Sequence, residues 1–234
     1  MSTILLRLSG PMQSWGAEDS RFETRSTRGA PTKSGVIGMV ASALGRRRDD
    51  SVDDLAALRF GVRTDQAGRV LSDYHTAHHP TIEKRAYITS REYIEDACFV
   101  VGLEGDEEVL SEIQYAILHP CFPLFLGRRA CPPSGRVVLG IRASGLEDAL
   151  RDEPWQASKW YARRSGAEAE LPMEIESDPS SCPVMIKDVP SSFSQNRREH
   201  RLRGLARATC CVRNPFSTSG FDAFDEIKGA MRCI

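Results

Sequence analysis

The sequence predicts an α+β fold, with two helices laid on a sheet and a smaller strand-rich C-terminal part. Three observations carry that expectation. Residues 36–44 and 107–118 place apolar side chains at helical spacing. Short apolar runs at 3–8, 60–64, 97–103 and 137–141 suit strands, and turn signals separate several of them. A stretch with four prolines, 120–133, divides this pattern from a weaker one beyond it. The chain has 234 residues, 41% hydrophobic and 27% charged, which is the balance of a folded protein with a buried core and not of a disordered one.

Taken in order, Thr3–Leu8 reads as a short buried strand running into the Gly10-Pro11 turn. Residues 12–32 are polar and read as a loop of about twenty residues, a length that usually marks function or disorder. Pro31-Thr32 then opens a helix, with Thr32 or Ser34 able to cap it. Val36, Ile37, Met39, Val40, Ala43 and Leu44 form its apolar face, and Gly45 with Arg46–Arg48 ends it. A short helix is expected at 53–58, a strand at 60–64, a turn at 66–68 and a return strand beginning at 70–74. A polar stretch, 75–90, leads to a strong strand at 97–103 and then to the helix at 107–118. With 137–141 as the last strand, the order is βαββαβ, the ferredoxin-like pattern, with a hairpin projecting from its middle. Further short strands are expected near 184–189 and 206–213, with an acidic, proline-bearing segment between. The expected division is residues 1–120 and residues 121–234.

Composition excludes several classes. No run of about 18 apolar residues exists, so no membrane span is expected. The N-terminus lacks the features of a secretory signal, so a cytoplasmic protein is expected. Seven cysteines occur without a C-x-x-C pair, which argues against a disulfide framework and against zinc. No metal or other cofactor is expected. The net charge of −1 conceals segregation. Between Arg21 and Arg48 seven basic residues stand against one acid, and between Arg197 and Arg213 six arginines stand against one. Residues 92–112 hold eight acids, and 168–178 five, with no lysine or arginine in either. Such separation suits a basic face for a polyanion, although solvated clusters on an ordinary surface would look the same.

The segment from Leu8 to Arg48 is the most informative. Lys33-Ser34-Gly35 stands at a helix N-terminus, where free N–H groups and the helix dipole favour an anion. Ser34 would add a hydroxyl, Lys33 a point charge, and Gly35 close backbone approach. The frame of a nucleoside-triphosphate loop is absent. Arg21, Arg25 and Arg28 just upstream could clamp further phosphates. Gln13, Ser14 and Trp15 follow the first strand; Trp15 could stack on a base and Gln13 read a base edge, or Trp15 could be a core aromatic. Arg128 and Arg129 are a further basic pair, and Arg197, Arg198, Arg201 and Arg203 form another cluster that could serve RNA or an acidic partner.

The run GPMQSWG (10–16), then SRF (20–22), R-x-T-R-x-x-PTKSGVIGM (25–39) and ASALGRRR (41–48), closely resembles the CasD family of CRISPR-associated proteins, part of the RAMP superfamily. LSDYHTA (71–77), LGRRACPPS (126–134) and DVPSSF (188–193) resemble the same family. The resemblance implies a ferredoxin-like, RRM-type domain with a projecting β-hairpin thumb, here about 75–92, and a smaller second domain. It implies a subunit of the type I-E Cascade complex for antiviral DNA surveillance, binding the crRNA 5′ handle of the guide RNA. Its neighbours would be the backbone subunit CasC and the large subunit CasA, with target DNA met only indirectly. In the thumb, His78, His79, Lys84, Arg85 and Arg91 would supply donors, and Tyr87 or Ile88 a wedge between bases. The resemblance implies no catalysis, since another subunit cuts the precursor in type I-E systems. Two alternatives stand beside it. One is a metal-independent endoribonuclease using His75, His78, His79, Lys84 and Tyr87 as acid, base and cation. The other is a purely protein–protein scaffold.

Overall fold

A computed structural model describes residues 1–16, 23–78, 86–178, 180, 184–195 and 197–217. Strand β1 spans Ser2–Ser9, followed by the short strands β2 (Met12–Gln13), β3 (Trp15–Gly16), β4 (Thr24–Arg25) and β5 (Thr27–Arg28). Helix α1 is Lys33–Ala43 and α2 is Asp53–Ala56. Then come β6 (Arg59–Gln66), β7 (Arg69–His78), β8 (Ala86–Glu95), β9 (Cys98–Gly105) and α3 (Glu107–Leu118). The C-terminal part holds β10 (Val138–Arg142), α4 (Leu146–Asp152), α5 (Lys159–Ala162), β11 (Glu168–Ser177), β12 (Met185–Phe193) and β13 (Arg198–Arg213).

Seven strands form one antiparallel sheet in the order β10-β1-β9-β6-β11-β13-β12. Alternation along the strands gives it two apolar faces. Ile4, Leu6 and Leu8 of β1, with Phe99, Val101 and Leu103 of β9, pack under α1 and α3. Leu5, Val100, Leu171, Met173 and Ile175 face the other way, against Leu146, Ala149 and Leu150 of α4. Both predicted helices are present, and the Thr32 hydroxyl caps α1 by accepting from the Gly35 N–H. The predicted strands at 3–8, 60–64, 97–103 and 137–141 are β1, β6, β9 and β10.

Two expectations need correction, and a third is extended. The long polar loop at 12–32 contains four short strands, which tie it to β8 and to itself. The hairpin expected at about 75–92 has its described strands paired over a longer span: β7 and β8 form an antiparallel ribbon from Arg69↔Glu95 to His78↔Ala86. The acidic segment at 168–178 is strand β11, paired with both β13 and β6. As for the expected division at residue 120, it falls between α3 and β10. Strands from both sides of that position share the one sheet, through β10 on β1 and β11 on β6. Among the described residues, no helix is long and apolar enough to cross a membrane.

Candidate nucleic-acid interface

The start of α1 is surrounded by the chain's own carboxylates. The Lys33 backbone N–H donates to Asp188 Oδ2 at 3.0 Å, and Lys33 Nζ donates to both Glu176 oxygens at 2.9 and 3.0 Å. Asp188 is held in turn by Arg203, at 2.6 and 3.0 Å, and Glu176 also accepts the Phe60 N–H. Lys33 is 2% exposed. Burial lowers the pKa of its ammonium while Glu176 pulls it back up. The anion that the helix N-terminus favours is therefore Asp188 of β12, and Lys33 presents no charge to solvent. Gly35 is explained by packing: a Cβ there would stand 2.8 Å from the Trp15 indole. Ser34 is half-buried on the first turn.

Gln13, Ser14 and Trp15 are likewise buried and do not offer a base-reading surface. Gln13 Nε2 donates to the carbonyls of Leu8 and Ala97, and Gln13 Oε1 accepts the Trp15 indole N–H at 3.1 Å. Ser14 Oγ donates to the Glu92 carbonyl. A buried tryptophan needs an acceptor for its N–H, and glutamine two residues earlier provides it. The motif thus fixes the exit from β1. It also seats the loop at 126–131, because the Ser14 N–H donates to the Leu126 carbonyl. In that loop Gly127 has φ +81, and a Cβ there would run into the Ser14 carbonyl oxygen. Gly127→Ala is expected to cost on the order of 1–3 kcal/mol from the positive φ alone, with the clash adding to it. The thermal midpoint should fall by several degrees, and an unchanged midpoint would refute this account of the loop.

The basic residues that remain near the surface come from three separate segments. Arg25 on β4 is exposed and stands in register with Arg91 on β8. Arg128 Nη2 donates to the Arg25 carbonyl at 3.0 Å, and the Arg128 guanidinium lies 4.6 Å from the centroid of the Tyr93 ring. Arg129 is exposed beside it. Arg28 pairs with Glu174 of β11 at 2.6 Å, while the Thr27 N–H donates to Glu92. Arg21, His79, Lys84 and Arg85 lie outside the described residues. On the ribbon, alternation puts Val70, Tyr74, His78 and Ile88 on one face, and Val70, Tyr74 and Ile88 are strongly exposed there. His75 and Tyr87 share the other face, so His75 and His78, three apart on β7, point to opposite sides of the ribbon. In the second basic cluster, Arg203 is buried on Asp188, Arg197 pairs with Glu199, and Arg201 lines a cleft of about 550 Å³ with Lys33 and Glu176. Among the described residues no group of three His, Cys, Asp or Glu is placed to hold a metal ion.

Sequence reasoning missed Tyr93, Glu92, Glu174, Glu176 and Asp188 as parts of this region. The signal available was the acidic run at 168–178, whose alternation with Leu171, Met173 and Ile175 marks a strand bearing carboxylates on one face.

Comparison with known proteins gives a consistent family. The family model described as CRISPR-associated protein (Cas_Cas5) matches residues 3–204. A relative from Escherichia coli (strain K12), CRISPR system Cascade subunit CasD, is 39% identical over 177 residues, covering 64% of this chain and 75% of that protein. A solved structure described as a CRISPR RNA-guided surveillance complex holds a chain 31% identical, with a TM-score of 0.76 over 98% of this chain and 99% of that one. Another, described as a crystal structure of a Cas protein, is 34% identical with a TM-score of 0.69, over 93% of this chain and 98% of that one.

Proposed function

Because the chain belongs to the CRISPR-associated protein (Cas_Cas5) family, we propose that it is a non-catalytic RNA-binding subunit of a Cascade-type surveillance complex, gripping the 5′ handle of the guide RNA. The observation that carries this reading is the convergence of Arg25, Arg91 and Arg128. These come from positions far apart in sequence and gather beside exposed Arg129. Single-stranded RNA exposes phosphates and splayed bases to such a surface. A ferredoxin-like core is supported by the order β10-β1-β9-β6 with α1 and α3 as crossovers, which is the 4-1-3-2 arrangement of a βαββαβ unit. Residues 1–120 supply most of the RNA face and the ribbon, and residues 121–234 supply the 126–131 loop and the strands that brace it. The ribbon is the thumb; its exposed Val70, Tyr74 and Ile88 need a cover, which the CasC and CasA neighbours would provide. Target DNA is reached through those neighbours, and the working compartment is the cytoplasm. No cofactor enters this role.

The test is a titration of the full chain with single-stranded RNA copied from the repeat of its CRISPR array. Affinity should fall steeply with salt, with a log–log slope of about −0.7 per phosphate neutralised. A flat salt dependence, or no binding, would favour a scaffold that meets only proteins. Incubation with the hairpin precursor should leave it intact. Cleavage lost in His78→Ala would instead establish the ribonuclease.

A further inference from the structure

Arg91 and Arg128 differ from the other arginines near the site. Arg28 and Arg203 each hold a carboxylate of this chain, Glu174 and Asp188, so Arg203 is neutralised although its Nη1 also lacks an acceptor. Among the described residues, neither Arg91 nor Arg128 has a carboxylate within 4.0 Å, and each leaves one buried N–H donor without an acceptor, Arg91 Nε and Arg128 Nη1. A buried charged donor left unbonded loses its hydration without recompense, and native proteins seldom carry one for no reason.

The two side chains also share one place. Arg91 and Tyr93 are two apart on β8 and so lie on the same face. The Arg128 guanidinium is fixed on that Tyr93 ring and tethered by Nη2 to the carbonyl of Arg25, the residue paired with Arg91. Arg128 is thereby held in one orientation before any ligand arrives, which lowers the entropy lost on binding. The nearest opposing charge by register is Asp73 on β7, directly across from Arg91.

Resting on the RNA-binding reading above, we infer that Arg91 and Arg128 close on one phosphodiester of the bound strand, whose oxygens supply the acceptors both guanidinia lack. A phosphate presents several acceptor lobes and suits two forked donors converging from different elements. A clamp of this kind sets register on the strand without reading a base. Asp73 is a negative neighbour that limits its affinity.

The experiment uses the full chain and the single-stranded repeat RNA. Arg91→Ala and Arg128→Ala should each lower affinity about tenfold, and each should make the salt slope shallower by about one contact. The double variant should lose less than the product of the two, because both act on one phosphate. Methylphosphonate substitution, one linkage at a time, should find one position whose neutralisation weakens the parent protein and leaves the double variant unaffected. Asp73→Asn, an exposed ribbon position that leaves the arginines in place, should bind more tightly; unchanged or weaker binding would count against the clamp. If the double variant binds RNA with parental affinity and salt slope, the clamp is wrong while the RNA reading stands, and the pair serves a carboxylate of a neighbouring protein instead. If the parent chain does not bind the RNA at all, both fail together.

Discussion

Lys33→Ala is expected to destabilise the fold by roughly 3–5 kcal/mol, the usual result of removing one partner of a buried ion pair. Against a typical total of about 5–15 kcal/mol, that is a large fraction. The ammonium is 2% exposed and bonds both oxygens of Glu176. Without it, Glu176 keeps one N–H donor, from Phe60, beside Asp188 on the same end of the cluster. Urea unfolding of Lys33→Ala, Glu176→Gln and the double variant forms a cycle. The double should be less destabilised than the sum, since it leaves no stranded charge. RNA affinity per folded molecule should change little. A variant as stable as the parent but weak in RNA binding would return Lys33 to the phosphate role that its position at a helix start suggests.

That contrast shows what a sequence can and cannot convey about this site. Lys33 at a helix N-terminus, with arginines upstream, reads correctly as a place where anions are wanted. Whether the anion is a phosphate or a carboxylate of the same chain depends on residues far along the sequence: Glu176 is 143 positions away, Glu174 is 146 from Arg28, and Asp188 is 155 from Lys33. No local pattern encodes those meetings. The helices and the core strands were legible because burial imposes a period on them. The β7–β8 ribbon was legible only through the order of elements and the family resemblance, because it packs little of either face on a core and so shows no apolar alternation beyond Tyr74. Strand β11 does alternate, but Pro172 and the carboxylates disguise it. Proline is tolerated there because β6 pairs with β11 only at Met173–Ile175, which leaves the Pro172 nitrogen on an unpaired edge. Gln13 and Trp15 were ambiguous for a different reason: a tryptophan with a nearby amide suits a base or a core equally well, and only their burial decides.

Arg63→Ala should be at least as damaging, and it lies on the α4 side of the sheet, away from the arginine cluster. Arg63 and Asp65 alternate on β6 with their side chains fully buried. Arg63 Nε and Nη2 donate to the two Asp65 oxygens at 2.7 and 2.9 Å. Its Nη1 donates to the carbonyls of Leu150 and Glu153, and Nη2 also reaches that of Pro154. Asp65 accepts the Gln156 N–H as well, and its carbonyl accepts the Trp155 indole N–H. One guanidinium therefore fastens the end of α4 and the loop after it to the sheet. Truncation strands a buried carboxylate and three carbonyls at once, so a loss of about 4 kcal/mol or more is expected. Arg63→Lys should rescue little, because an ammonium cannot span the carboxylate and three carbonyls from one planar fork. Replacing Arg63 and Asp65 together by apolar residues of similar volume should be milder than Arg63→Ala alone, since no unpaired charge remains. Chemical denaturation of these three variants decides the matter. A loss below about 1 kcal/mol in Arg63→Ala would mean that water reaches Asp65 and that the pair is not what holds α4 in place.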